Sequence, residues 1–137
     1  MKLTLNEYLM GRQVSYSLPE ATRLNAEELL HRVNELIEVM SADDVMFDKR
    51  PDGTYINSGW RPPAVNSGIA NAAPRSKHIT GQAIDLYDPE GEIDEWCMEN
   101  PQVLETVGLW QEHPAATKGW CHLQSVPPRS GRRVFYP

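Results

Sequence analysis

Cysteine is scarce in this chain: Cys97 and Cys121 are the only two in 137 residues. Two thiols cannot build the disulfide framework that staples small secreted domains, so reduced side chains are expected. Long apolar runs are missing too. No segment approaches the roughly 20 apolar residues of a membrane span. The opening M-K-L-T-L-N-E-Y-L-M-G-R places Asn6 and Glu7 where a secretory signal needs an unbroken apolar stretch. A soluble product made in the cytoplasm without a signal peptide is expected, with any export left to other machinery. Clustered positive charge is absent outside the short tail segment Arg129–Arg133, and 13 Lys and Arg against 19 Asp and Glu give a formal net charge of -6. A general nucleic-acid binder needs a concentrated basic face to release counterions, so that class is excluded. Repeats, low-complexity tracts and linkers are also lacking, which leaves one domain over residues 1–137.

What is present fits an ordered globular chain, with 40% hydrophobic and 23% charged residues. Eleven prolines point to a fold rich in connections. Residues 1–21 read as an irregular lead-in. Asn25 with Glu28 resembles a capping box, and Leu29, Val33, Leu36, Ile37 and Met40 recur at helical spacing, predicting a main helix over 25–41. Pro-Asp-Gly at 51–53 signals a turn before a short strand in T-Y-I-N-S-G-W. Residues 61–77 read as loop. A-I-D-L-Y at 83–87 and W-C-H-L-Q at 120–124 read as strands, 92–107 as a helix restarted at Pro101, and Val134–Tyr136 as an edge strand. The expected class is α+β, a small antiparallel sheet with helices packed mainly on one side.

The densest chemistry lies in S-K-H-I-T-G-Q-A-I-D, from Ser76 to Asp85. His78 offers an imidazole nitrogen and Asp85 a carboxylate, both suited to zinc. Strand alternation puts Asp85 on the side of Ala83 and Tyr87, with Ile84 and Leu86 turned to the core. In the later strand, Trp120, His122 and Gln124 share one face and Cys121 and Leu123 the other. His122 can therefore complete a three-ligand set with an open fourth position, the catalytic rather than the structural zinc pattern.

S-x-H-x-x-G-x-A-x-D resembles, at every fixed position, the signature of the zinc peptidases that include D-alanyl-D-alanine carboxypeptidases, vancomycin-resistance dipeptidases and phage endolysins. The Hedgehog signalling domain shares their fold. S-G-W-R-P-P at 58–63 is similar to the stretch before that signature, and W-C-H-L-Q to the strand bearing the third ligand. The likeness is greatest to short phage-associated carboxypeptidase-like members. It implies zinc held by His78, Asp85 and His122, and a substrate-gripping arginine at Arg61, whose planar fork suits bidentate pairing. Ser76 would bond substrate or brace the His78 loop, and Trp120 and Gln124 complete the substrate-facing candidates.

Many relatives carry a general-base Glu three residues before the last His, where this chain has Gly119. Glu112, in L-W-Q-E-H-P, is the expected replacement, with His113 in reserve. The resemblance implies hydrolysis of a peptidoglycan stem peptide, as carboxypeptidase or endopeptidase, by a monomer released during phage lysis or carried in a virion. The alternative is a catalytically silent zinc-containing module of the same fold.

Overall fold

The computed structural model describes all 137 residues. Leu29, Val33, Leu36, Ile37 and Met40 are fully buried along one face of α2 (Glu20–Ala42). This helix starts at Glu20, not Asn25, directly after Pro19, which stands at the N-cap in an extended conformation with its φ fixed by the ring. Asn25 is no cap: its side-chain amide donates to the Thr80 carbonyl at 3.0 Å, tying the helix to the segment around His78. The lead-in also contains α1 (Leu5–Leu9), started by a reciprocal capping box between Thr4 and Glu7 and burying Tyr8 and Leu9.

Five strands follow the order β1-β2-β4-β3-β5. They are β1 (Ile56–Ser58), β2 (Ala83–Asp88), β3 (Trp110–Glu112), β4 (Gly119–Gln124) and β5 (Val134–Phe135). The first three pairings are antiparallel, while β5 lies parallel to β3. The chain turns back after β4 and passes outside β3, so its last strand runs in the direction of β3. The fold is α+β, with a small mixed sheet.

Period-two alternation divides the inner strands cleanly. Ile84, Leu86, Cys121 and Leu123 enter one buried apolar cluster with side chains from α1, α2, α4 (Glu92–Glu99) and α5 (Pro101–Val107). Cys97 joins them, and both thiols are free and buried. Two segments differ from expectation. Residues 61–77 hold the short helix α3 (Pro63–Ser67), where Pro63 occupies the first turn and its missing N–H leaves no gap. Residues 110–112 form β3, expected as loop. Gln111 is completely buried there and donates to the Asp94 carboxylate at 2.9 Å. No helix is long and apolar enough to cross a membrane.

Candidate metal centre

The face of β2 and β4 turned away from the core carries Asp85 and His122 as direct cross-strand partners. Cross-strand neighbours lie about 4.5–5.5 Å apart at their Cβ atoms, and here the side chains close further: His122 Nδ1 is 2.8 Å from Asp85 Oδ1. His78 enters from the segment before β2, with its Nε2 at 3.2 Å from Asp85 Oδ2. The donor atoms of His78, Asp85 and His122 all lie within 4.8 Å of one another; His78 and Asp85 are buried and the His122 side chain is 12% exposed.

The loop that delivers His78 is held by its own motif. The His78 amide donates to Ser76 Oγ at 3.2 Å, and the Arg61 amide donates to the His78 carbonyl at 3.1 Å. Gly81 has φ +75, and a Cβ there would lie 2.6 Å from the Thr22 carbonyl oxygen of α2. Both the left-handed backbone and the close approach call for glycine.

The electrostatics point to a cation. His78 Nδ1 lies 2.8 Å from the Gly59 carbonyl, which can only accept, so Nδ1 carries the hydrogen and Nε2 offers a lone pair. Burial pushes the His78 pKa down despite the attraction of Asp85, so the ring is neutral. A neutral nitrogen lone pair and a carboxylate oxygen then face each other, an arrangement that a bound cation satisfies. Burial alone would raise the Asp85 pKa, yet the two imidazoles hold it well below the usual carboxylate range. Burial also opposes charge on His122, but hydrogen bonding and attraction from Asp85, with a further bond to Gln124, raise its pKa. Two imidazole nitrogens and one carboxylate oxygen fit zinc, which binds such donors at about 2.0–2.2 Å.

The other expected site residues fall into place around this cluster. Glu112, expected in a loop, is part of β3. Trp110 pairs with Gln124 and Gln111 with Leu123, so the register carries Glu112 beside His122 on the same face. Burial raises the Glu112 pKa, His122 opposes the shift and Asp85 adds to it. His113 lies apart: its ring stacks on Tyr136 at 4.4 Å, and Nδ1 accepts from the Ala115 amide at 3.0 Å. Arg61 donates through Nε to Ser58 Oγ at 2.9 Å, through Nη1 to Asn66 Oδ1 at 3.4 Å and through Nη2 to Asp85 Oδ2 at 3.4 Å. Ser76 braces His78, as described. Trp120 is half-buried on the metal face opposite Tyr87. Gln124, expected to touch substrate, is only 5% exposed, and its amide bonds within the chain.

Ser58, Asn66, the Gly59 carbonyl and Phe135 had no place in the expected site. Ser58 and Gly59 belong to the S-G-W-R-P-P stretch, so a signal existed for them. Asn66 is buried, bridging Arg61 and the Ala73 carbonyl. Phe135 meets the His122 ring edge-on at 6.2 Å, which depends on the β3–β5 pairing that no local pattern reveals.

Against known proteins, a sequence model of the family described as Peptidase M15 matches residues 14–123. No curated protein matches the chain, and no solved structure does.

Proposed function

The chain belongs to the M15 peptidase family, whose pattern runs through residues 14–123, and on that premise we propose that it is a zinc metallopeptidase hydrolysing a peptide bond in peptidoglycan stem peptides. The observation that carries this proposal is the convergence of His78, Asp85 and His122 on one buried point with Glu112 on the same sheet face. Zinc held by those three residues supplies a positive charge that acidifies water and polarises a carbonyl.

The chain's own groups do the rest. Glu112 takes a proton from the attacking water and delivers it to the departing amine nitrogen. Its partial burial raises its pKa, which strengthens it as the base that takes the water proton. Arg61 steadies Asp85 through Nη2 and is itself aligned by Ser58 and Asn66. A guanidinium has five N–H donors, so groups remain on Arg61 for a substrate carbonyl or carboxylate. Trp120 and Tyr87 offer flat apolar surface beside the ligands, suited to the small side chains of a stem peptide. Removal of a terminal D-alanine and cleavage within the stem or cross-bridge require the same set of groups.

Digestion of purified muropeptides by the zinc-loaded protein, with products resolved by mass, tests this. Loss of one terminal residue identifies a carboxypeptidase, and fragments of the stem or cross-bridge identify an endopeptidase. Glu112→Gln is expected to lower turnover by about 10²–10⁴ while zinc uptake is unchanged. Stoichiometric zinc with no cleavage of any muropeptide would leave a silent binding module instead, a reading favoured by Gly119 at the position of the usual base.

A further inference from the structure

The two histidines of the centre do not present the same nitrogen. His78 faces Asp85 through Nε2, with Nδ1 turned to the Gly59 carbonyl. His122 faces Asp85 through Nδ1, and its Nε2 lies 3.0 Å from Gln124 Oε1. What fixes the Gln124 amide decides which atom His122 meets. Gln124 Nε2 donates to the Val126 carbonyl at 2.9 Å, and that carbonyl can only accept. The amide cannot be reversed without setting two acceptors against each other. Its oxygen is therefore held toward His122, and that oxygen in turn requires a hydrogen on His122 Nε2.

The turn carrying Val126 is itself anchored. The Ser125 amide donates to the Gln82 carbonyl at 3.0 Å, and Arg32 of α2 donates to the Ser125 carbonyl at 3.0 Å. A line of bonds thus runs from the main helix through the Ser125–Val126 turn and the Gln124 amide to the His122 ring. Each bond has its direction set by a group that can act in only one way.

Building on the proposed zinc site, we infer that Gln124 is a positioning residue: its amide oxygen locks His122 in the Nε2–H tautomer, so that Nδ1 alone is presented to the metal. Gln124 then acts through His122 and not on the substrate, in accord with its burial. Partners of this kind typically contribute 10–100-fold to metal affinity. The opposite-nitrogen arrangement also differs in origin on its two sides. His78 is set by a main-chain carbonyl that substitution cannot remove, whereas His122 depends on one replaceable side chain.

Zinc affinity measured by competition with a chromophoric chelator, together with long-range ¹H–¹⁵N spectra of the zinc-loaded protein, tests the assignment. The wild-type spectrum is expected to show Nε2–H on His122 and Nδ1–H on His78. Gln124→Met, which keeps the bulk but removes the acceptor, should raise the zinc dissociation constant about 10–100-fold. Gln124→Glu, which restores an acceptor toward His122 but sets its second oxygen against the Val126 carbonyl, should recover only part of that loss. An Nδ1–H pattern on zinc-loaded His122, or a Gln124→Met protein that binds zinc within twofold of wild type, would overturn the assignment and leave the zinc site itself intact. A wild type that takes up no zinc would instead remove the proposed function, and this assignment with it. Should Gln124→Met fail to fold, the wild-type spectrum still decides.

Discussion

At the scale of single residues, Asp85 organises the centre by meeting three partners at once. One oxygen faces His122, and the other faces both His78 and Arg61. The consequence for metal uptake follows from the opposite pKa shifts of the two imidazoles. His78 is lowered, chiefly by burial, and is already neutral near pH 7. His122 is raised against the effect of burial by its bonds to Asp85 and Gln124, so in the metal-free protein it holds a proton above the usual histidine range. A metal ligand must be deprotonated, and metal binding therefore releases that proton. Zinc uptake is expected to release one proton, that of His122, at pH values below the folded pKa of this ring, with affinity rising as pH increases until His122 titrates. Calorimetric titration in buffers of different ionisation enthalpy measures the number. A value near two would mean that His78 is also charged, and a value near zero that His122 is not. The metal-free chain follows the same signs. Raised His122 contributes stability that is present below its unfolded pKa and lost as pH rises through the folded one. Depressed Asp85 contributes stability present above its unfolded pKa and lost as pH falls through the folded one.

At the scale of elements, the segment before β2 is held both by its own hydrogen bonds and by its seat on α2. Gly81→Ala is expected to destabilise the fold by about 1–3 kcal/mol, combining backbone strain with a steric clash. The Thr22 carbonyl would lie only 2.6 Å from the new Cβ. Gly131 has a similar φ of +72 with nothing within 4 Å of the added atom, so Gly131→Ala should show the strain alone. The difference between their denaturant unfolding curves isolates the contact, and equal losses would mean that α2 gives way. The elements that were legible in the sequence had a period or a motif to announce them. The buried stripe of α2, the alternation of β2 and β4 and the restart at Pro101 all appear in the structure. β3, which the sequence alone does not announce, depends on distant partners. It has three residues and no β-branched side chain, and it exists because β4 and β5 flank it. That is also why Glu112 reads as loop from the sequence alone. α1 differs: its Thr4–Glu7 capping box is local, and it replaces part of the irregular lead-in expected over residues 1–21.

At the scale of the whole molecule, the centre joins parts that are far apart in the chain, with α4, α5 and β3 intervening between β2 and β4. A ligand that binds only the folded state stabilises it, by about 4 kcal/mol at a thousandfold excess over its dissociation constant. Removing zinc with a chelator is therefore expected to lower the midpoint of thermal unfolding by on the order of 10 °C. The transition should stay cooperative, because the apolar cluster lies on the opposite face of the sheet and does not include the ligands. Unfolding scans with and without chelator measure this, and superimposable curves would show that no metal contributes to the fold. The two-sided nature of β2 and β4 has one more consequence. Their six registered pairs leave no slack between the faces. Inserting or deleting one residue within either strand would exchange its sides. Asp85 or His122 would be driven into the oily interior, while leucines and a thiol were pushed into water. A length change is therefore expected to be tolerated in the turns but not within Ala83–Asp88 or Gly119–Gln124, where register decides which side chains meet water.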